Sequence, residues 1–86
     1  MDYLIVYDIS DHKKRLKVAR ILQKFGYRIQ YSAFYLPDTK GNIIDFLFKE
    51  ISKLIDKQTD RVFFYPVHPP EVFKGYPLEP WKVFLI

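Results

Sequence analysis

The chain has 86 residues, 49% of them apolar and 19% aromatic, with no cysteine and a net charge of +4. That size allows one domain and buries only roughly 60 to 65% of the unfolded surface, so help from a partner chain is expected. The composition excludes a disordered chain, a disulfide scaffold and a thiolate metal site. The start of the chain is too short in apolar residues and too acidic for a signal peptide, and no run approaches membrane-spanning length. A cytoplasmic protein with no membrane partner is therefore expected.

Tyr3 to Asp8 is a β-branched and aromatic run suited to a buried strand. Ser10 or Asp11 is placed to cap a helix from about Lys13 to Phe25, stopped at Gly26, where a left-handed residue is common. On that helix Val18, Ala19, Ile21, Leu22 and Phe25 form one apolar arc, and Lys13, Lys17, Arg20 and Lys24 line the opposite side. Tyr27 to Leu36 reads as extended chain, either one strand or two with a bend. Its alternation puts Arg28, Gln30, Ser32 and Phe34 on one face. After a turn-rich loop, Asn42 is a good cap for a second helix. There Ile44, Leu47, Phe48, Ile51, Leu54 and Ile55 follow an amphipathic period through about Ile55. Another strand, Arg61 to Tyr65, is expected to end at Pro66.

Pro69, Pro70, Pro77 and Pro80 then forbid regular structure over most of an arm, residues 68–81, before a short apolar strand, residues 82–86. This order predicts an α+β fold of the ferredoxin-like βαββαβ kind. Two helices would cover one face of an antiparallel sheet, with an extra C-terminal strand, in a single domain over residues 1–86 and a core over 1–67. The apolar terminus would be tied to a sheet edge, its own or a partner's, and the thin core favours a symmetric dimer.

Three groups of residues bear on chemistry. Asp8 is either a turn or capping residue, or a metal ligand. A two-fold dimer would bring a second copy of it, making a pair of carboxylates able to hold magnesium beside a phosphate. From Lys13 to Arg28 there are seven basic residues, half of the chain's 14 lysines and arginines, and no acidic one. Lys13, Lys14 and Arg15 sit in the first helical turn, where positive charge opposes the helix dipole, and no carboxylate within the helix pairs with them. A nucleic-acid backbone is the simplest external counter-charge, which makes Lys13, Lys14, Arg15, Lys17, Arg20, Lys24 and Arg28 candidate contacts. The polar alternation from Arg28 to Phe34 by itself means no more than a solvent-facing side. His12 and His68 lack ligand spacing and are not read as metal ligands.

Tyr7-Asp8-Ile9-Ser10-Asp11, together with Arg28-Ile29-Gln30-Tyr31-Ser32-Ala33-Phe34 and the late Phe63-Phe64-Tyr65-Pro66 strand, resembles the second CRISPR-associated (Cas) protein family. This is the small partner of the CRISPR integrase, and the likeness covers roughly residues 2 to 67. The resemblance implies a ferredoxin-like homodimer in which the C-terminal strand joins the other protomer's sheet. It further implies an endonuclease for single-stranded RNA or double-stranded DNA, dependent on magnesium or another divalent cation such as manganese, acting in spacer acquisition. By it, Asp8 is the metal ligand, and Tyr7, Arg15, Arg28 and Phe34 join it as catalytic positions, with Lys17 replacing an arginine of some relatives. Tyr35 stands where some relatives carry an acidic residue. The same family offers a second role, a non-catalytic DNA-holding bridge between integrase dimers, and a toxin-type ribonuclease is similar in fold and size.

Overall fold

The computed structural model describes residues 1–68. The chain runs β1 (Asp2–Asp8), α1 (His12–Gln23), β2 (Tyr27–Gln30), β3 (Ala33–Leu36), α2 (Gly41–Leu54) and β4 (Arg61–Val67). The four strands form one sheet in the order β2-β3-β1-β4, with every neighbouring pair antiparallel. This is the ferredoxin-like arrangement expected from the element order. The expected proline-rich arm and terminal strand, His68 apart, fall on residues 69–86 and lie outside the described residues.

β1 is an inner strand, with Ile5 opposite Phe34 of β3 and Phe64 of β4. Successive side chains of a strand leave opposite faces. Ile5, Tyr7 and the following Ile9 are buried with Phe34 and Leu36 beneath Val18, Ala19 and Leu22 of α1 and Leu47 and Ile51 of α2. Full burial of each large aliphatic or aromatic side chain contributes roughly 1.5–3 kcal/mol, so this layer is the main source of stability. The other sheet face keeps apolar side chains exposed. Phe63 and Tyr65 of β4 are 43% and 46% accessible, with their rings stacked at 5.9 Å.

Four local features differ from the sequence expectation. Tyr27 to Leu36 is a hairpin whose pairing slips between Arg28 and Gln30, so that Arg28 faces Phe34 while Gln30 pairs with Ala33. A bulge shifts the alternation by one residue, which removes Gln30 from the face that Arg28 and Phe34 share. Pro66 does not end β4 but sits inside it opposite Tyr3. That is tolerated because β4 is an edge strand in the described sheet and the missing N–H faces no partner. Helix α2 begins at Gly41 with Lys40 as its cap residue and no side-chain cap bond, so Asn42 lies within the first turn.

Gly26 is required by space, not by a left-handed backbone. A Cβ there would stand 2.2 Å from the carbonyl oxygen of Tyr35 and 2.9 Å from the Leu36 side chain. The end of α1 thus closes directly onto β3.

The turn after β1 is held from a distance in sequence. Asp60 is only 7% exposed. It accepts hydrogen bonds from the backbone N–H and hydroxyl of Ser10 (3.1 and 3.2 Å), the Thr59 hydroxyl (3.1 Å) and the Asp56 N–H (2.8 Å). The Asp56 N–H, more than any other group, holds the Asp60 carboxyl below its ordinary range, with the Ser10 and Thr59 donors adding to it against the opposing effect of burial. Ser10 is therefore committed to Asp60, and the cap of α1 is Asp11, whose carboxylate accepts from Lys14 N–H at 3.0 Å.

Two outcomes follow from this packing. Gly26→Ala is expected to lower stability by about 1–3 kcal/mol, the usual range for overpacking against backbone; a urea midpoint equal to wild type would show that the chain can yield there. Because the folded Asp60 carboxyl titrates lower than the unfolded one, its stabilisation is complete above the ordinary value of 3.8 and is lost as pH falls below it. Melting temperatures followed from pH 7 to pH 2 should therefore fall more steeply below about pH 4 in wild type than in Asp60→Asn, and parallel curves would contradict this.

Candidate functional site

Asp8 closes β1 with an exposed side chain, between buried Tyr7 and buried Ile9. Among the described residues its carboxylate accepts no hydrogen bond and forms no ion pair. Several other carboxylates are engaged. Asp2 accepts from the Tyr35 hydroxyl and the Asp38 N–H, Asp11 caps α1, Asp56 accepts from Gln58 N–H, and Asp60 holds Ser10. The capping role open to Asp8 on sequence alone thus belongs to Asp11.

In register, Asp8 stands opposite Arg61 of β4. Side chains directly opposite on antiparallel strands start roughly 4.5–5.5 Å apart at Cβ, so the Arg61 guanidinium lies within reach of an oxygen held at Asp8. Arg61 was not singled out by the sequence, because its meaning depends on a strand pairing that spans most of the chain. Among the described residues no three His, Cys, Asp or Glu side chains come together. Magnesium is commonly held by one or two carboxylates with water and substrate phosphate completing its shell. An exposed, unengaged Asp8 is able to supply one such carboxylate.

Tyr7 leaves β1 on the opposite face and belongs to a separate cluster. Its ring stacks on Phe34 with centroids 6.4 Å apart, and the Arg28 guanidinium lies over Phe34 at 5.3 Å and over Tyr31 at 6.0 Å. Arg15 donates from Nη1 to the Ile9 carbonyl at 3.0 Å and from Nη2 to His12 Nδ1 at 3.1 Å. Since an arginine only donates, that His12 nitrogen is an acceptor. Tyr7, Arg15 and Arg28 border a small open pocket of about 30 Å³ together with His12 and Tyr31. Burial pushes the Tyr7 hydroxyl above its ordinary pKa, and the nearby Arg28 and Arg15 charges only partly offset this, so it is a neutral donor near pH 7.

The structure therefore sorts the residues nominated from sequence into three places. Asp8 stands on the open sheet face with Arg61. Tyr7, Arg15, Arg28 and Phe34 gather under the helix side. Lys13, Lys17, Arg20 and Lys24 are exposed along α1 and its end, and Lys14 is half-buried at the first turn. Among the described residues only Lys53 and Glu50 form a salt bridge, at 3.8 Å, so the α1 charges have no carboxylate partner there.

Residues 1–74 match the family model for CRISPR associated protein Cas2. The chain is 42% identical over 64 residues to a CRISPR-associated endoribonuclease Cas2 of Rhodospirillum rubrum, covering 74% of this chain and 51% of that protein. It therefore spans about half the length of that relative. In structure it is similar to the hypothetical protein TT1823 from Thermus thermophilus, with a TM-score of 0.78, 32% identity and coverage of 90% of this chain and 94% of that one. It is also similar to a chain of the partial Cas6-RT-Cas1-Cas2 complex, with a TM-score of 0.60, 28% identity and coverage of 73% of this chain and 76% of that one. With the ferredoxin-like sheet and the Asp8 turn in place, the match over most of its length shows that the chain belongs to the Cas2 family of CRISPR-associated proteins.

Proposed function

We propose that the chain is a CRISPR-associated endonuclease acting in spacer acquisition, a homodimer that cleaves single-stranded RNA or double-stranded DNA with magnesium or manganese held at Asp8. The observation that carries this reading is the Asp8 carboxylate. It is exposed and unengaged, while Asp11 and Asp60, the carboxylates that hold the following turn, serve the fold. The relative from Rhodospirillum rubrum, named as an endoribonuclease, supports the same reading. Family membership favours it over the toxin-type ribonuclease.

A bound divalent cation supplies Lewis acidity and a more acidic water for phosphodiester hydrolysis. In this reading the residues of the chain do the rest. Asp8 would hold the cation, and Arg61 across the strand pair neutralises charge on the reacting phosphate. The exposed lysines and arginines of α1 hold the backbone on either side, and Arg15 and Arg28, the latter seated over the buried Phe34, engage the strand on the helix side. The exposed Phe63 and Tyr65 and the half-buried Leu4 and Val6 give the open sheet face an apolar surface for a second protomer, with Asp8 at one end of β1. The integrase is a further partner in this reading, and the likeness to a chain of a complex containing Cas1 favours a second role as a DNA-holding bridge.

Asp8→Asn tested on single-stranded RNA and duplex DNA, with magnesium or with EDTA, is expected to lose cleavage by on the order of 100-fold or more while keeping binding. Unchanged cleavage would remove Asp8 from the mechanism; a wild type that binds DNA without cutting it would leave the bridge. Arg61→Ala is expected to slow cleavage roughly 10- to 100-fold, the worth of a charge-assisted hydrogen bond to phosphate. Lys17→Ala, by contrast, should weaken binding evenly across sequences and reduce the salt slope by about 1. Light scattering should give a dimer mass, and deletion of Lys82 to Ile86 should weaken association; a monomer would overturn the shared-site model.

A further inference from the structure

We propose that Asp60 is the positioning residue for the pair of Asp8 and Arg61, the side chain that holds the end of β1 and the start of β4 at one fixed separation. That role rests on the reading of Asp8 and Arg61 as the reacting pair, and it names the group that sets their geometry.

The sheet by itself holds Asp8 weakly. On the β3 side the pairing of β1 stops at Val6, with one further bond from the Tyr7 N–H to the Ser32 carbonyl at 3.0 Å. On the β4 side Asp8 and Arg61 are the last pair of the ladder. The end of a ladder is where local opening costs least, and the exposed Asp8 carboxylate has no partner among the described residues to oppose it. Two strand ends that present a carboxylate and a guanidinium to one phosphate therefore need a tie beyond the last pair.

Asp60 supplies that tie. It directly precedes Arg61, and its Oδ1 accepts from the backbone N–H and the hydroxyl of Ser10, two residues past Asp8, at 3.1 and 3.2 Å. These bonds join positions 50 residues apart and continue the β1 to β4 ladder with a side chain in place of a backbone carbonyl. The carboxylate is itself fixed before it reaches Ser10. Its Oδ2 accepts from the Asp56 N–H at 2.8 Å, while the N–H groups of Asp60 and Thr59 both donate to the Asp56 carbonyl, at 2.8 and 3.1 Å. One oxygen locks the loop and the other grips the turn after β1. An amide cannot do both, because every partner donates and its nitrogen would face a donor in a buried site. The exposed lysines of α1 take no part in the tie, so the hold on a nucleic-acid backbone and the geometry at Asp8 are separable.

The test compares the full chain with Asp60→Asn, Ser10→Ala and Thr59→Val, each checked by circular dichroism. Ser10→Ala removes one bond of the tie, whereas Thr59→Val removes a hydroxyl that donates to the same Oδ1 from within the loop, at 3.1 Å. In EDTA, cross-strand NOEs between Asp8 and Arg61 should be kept in wild type and Thr59→Val, weakened in Ser10→Ala and lost in Asp60→Asn. With Mn2+ as the probe, affinity read from line broadening around Asp8 should fall about 10-fold in Asp60→Asn. Cleavage should lose kcat by about 10- to 100-fold in Asp60→Asn and roughly 3-fold in Ser10→Ala at unchanged KM, as expected when reacting groups are misplaced and binding is intact. Thr59→Val should keep kcat within about 2-fold of wild type. Equal losses in Ser10→Ala and Thr59→Val would mark Asp60 as merely structural and overturn the positioning role, as would NOEs that survive in Asp60→Asn. Should Asp60→Asn not fold, the comparison of Ser10→Ala with Thr59→Val decides. Wild-type signals near Asp8 that stay sharp in Mn2+ would overturn the cation reading instead, with the NOEs still deciding the role of Asp60.

Discussion

β1 lies between β3 and β4, so both of its edges are committed to hydrogen bonds and only its two faces remain for anything else. The period-two alternation of a strand divides those faces strictly. Ile5 and Tyr7 of the strand, with Ile9 just after it, enter the core under the helices, while Leu4 and Val6 take the other face. Once they do, Asp8 can only emerge on the other side. The position of the carboxylate is thus a consequence of core packing, and a one-residue slip of β1 would bury Asp8 and expose Tyr7 together.

The turn that follows is the least self-sufficient part of the arrangement. Ile9 to Asp11 must pass from an inner strand into a helix whose first turn carries Lys13, Lys14 and Arg15. Two carboxylates stabilise that passage from different places: Asp11 caps the helix locally, and Asp60 grips Ser10 from the end of the α2 to β4 connection. A buried carboxylate is tolerated only when its oxygens are satisfied, and Asp60 meets that condition with four donors. Through this link the start of β4, and with it Arg61, is set against the end of β1.

The fold was legible from sequence because its main signals are local. The apolar spacing of α2 and the β-branched run of β1 each specify their element without reference to the rest of the chain. Asp8 and the basic α1 face could be nominated for the same reason. The Arg28 to Phe34 alternation was broken by a bulge that appears only when β2 finds its register with β3. Gly26 was assigned to the wrong physical cause, since the carbonyl that forbids a side chain there belongs to Tyr35. Arg61, Asp60 and His12 carried no signal at all: an isolated charged or aromatic residue acquires meaning only from the neighbour that long-range pairing gives it.

The same reasoning bears on why the basic residues stay. Positive charge in the first turn of α1 acts against the helix dipole, at a cost of a few tenths to about 1 kcal/mol per residue, and Asp11 offsets only part of it. Arg15 offsets that cost with hydrogen bonds to the Ile9 carbonyl and His12. Lys13 has no such recourse, and neither it nor Lys17 in the next turn has an ion-pair partner among the described residues. Charges that neither stabilise their helix nor pair within the described fold are best accounted for by an anion outside it. The side of the sheet on which Arg15 and Arg28 converge is distinct from the side that carries Asp8, so a strand serving both must bend around the end of β1 and cannot lie flat on either face.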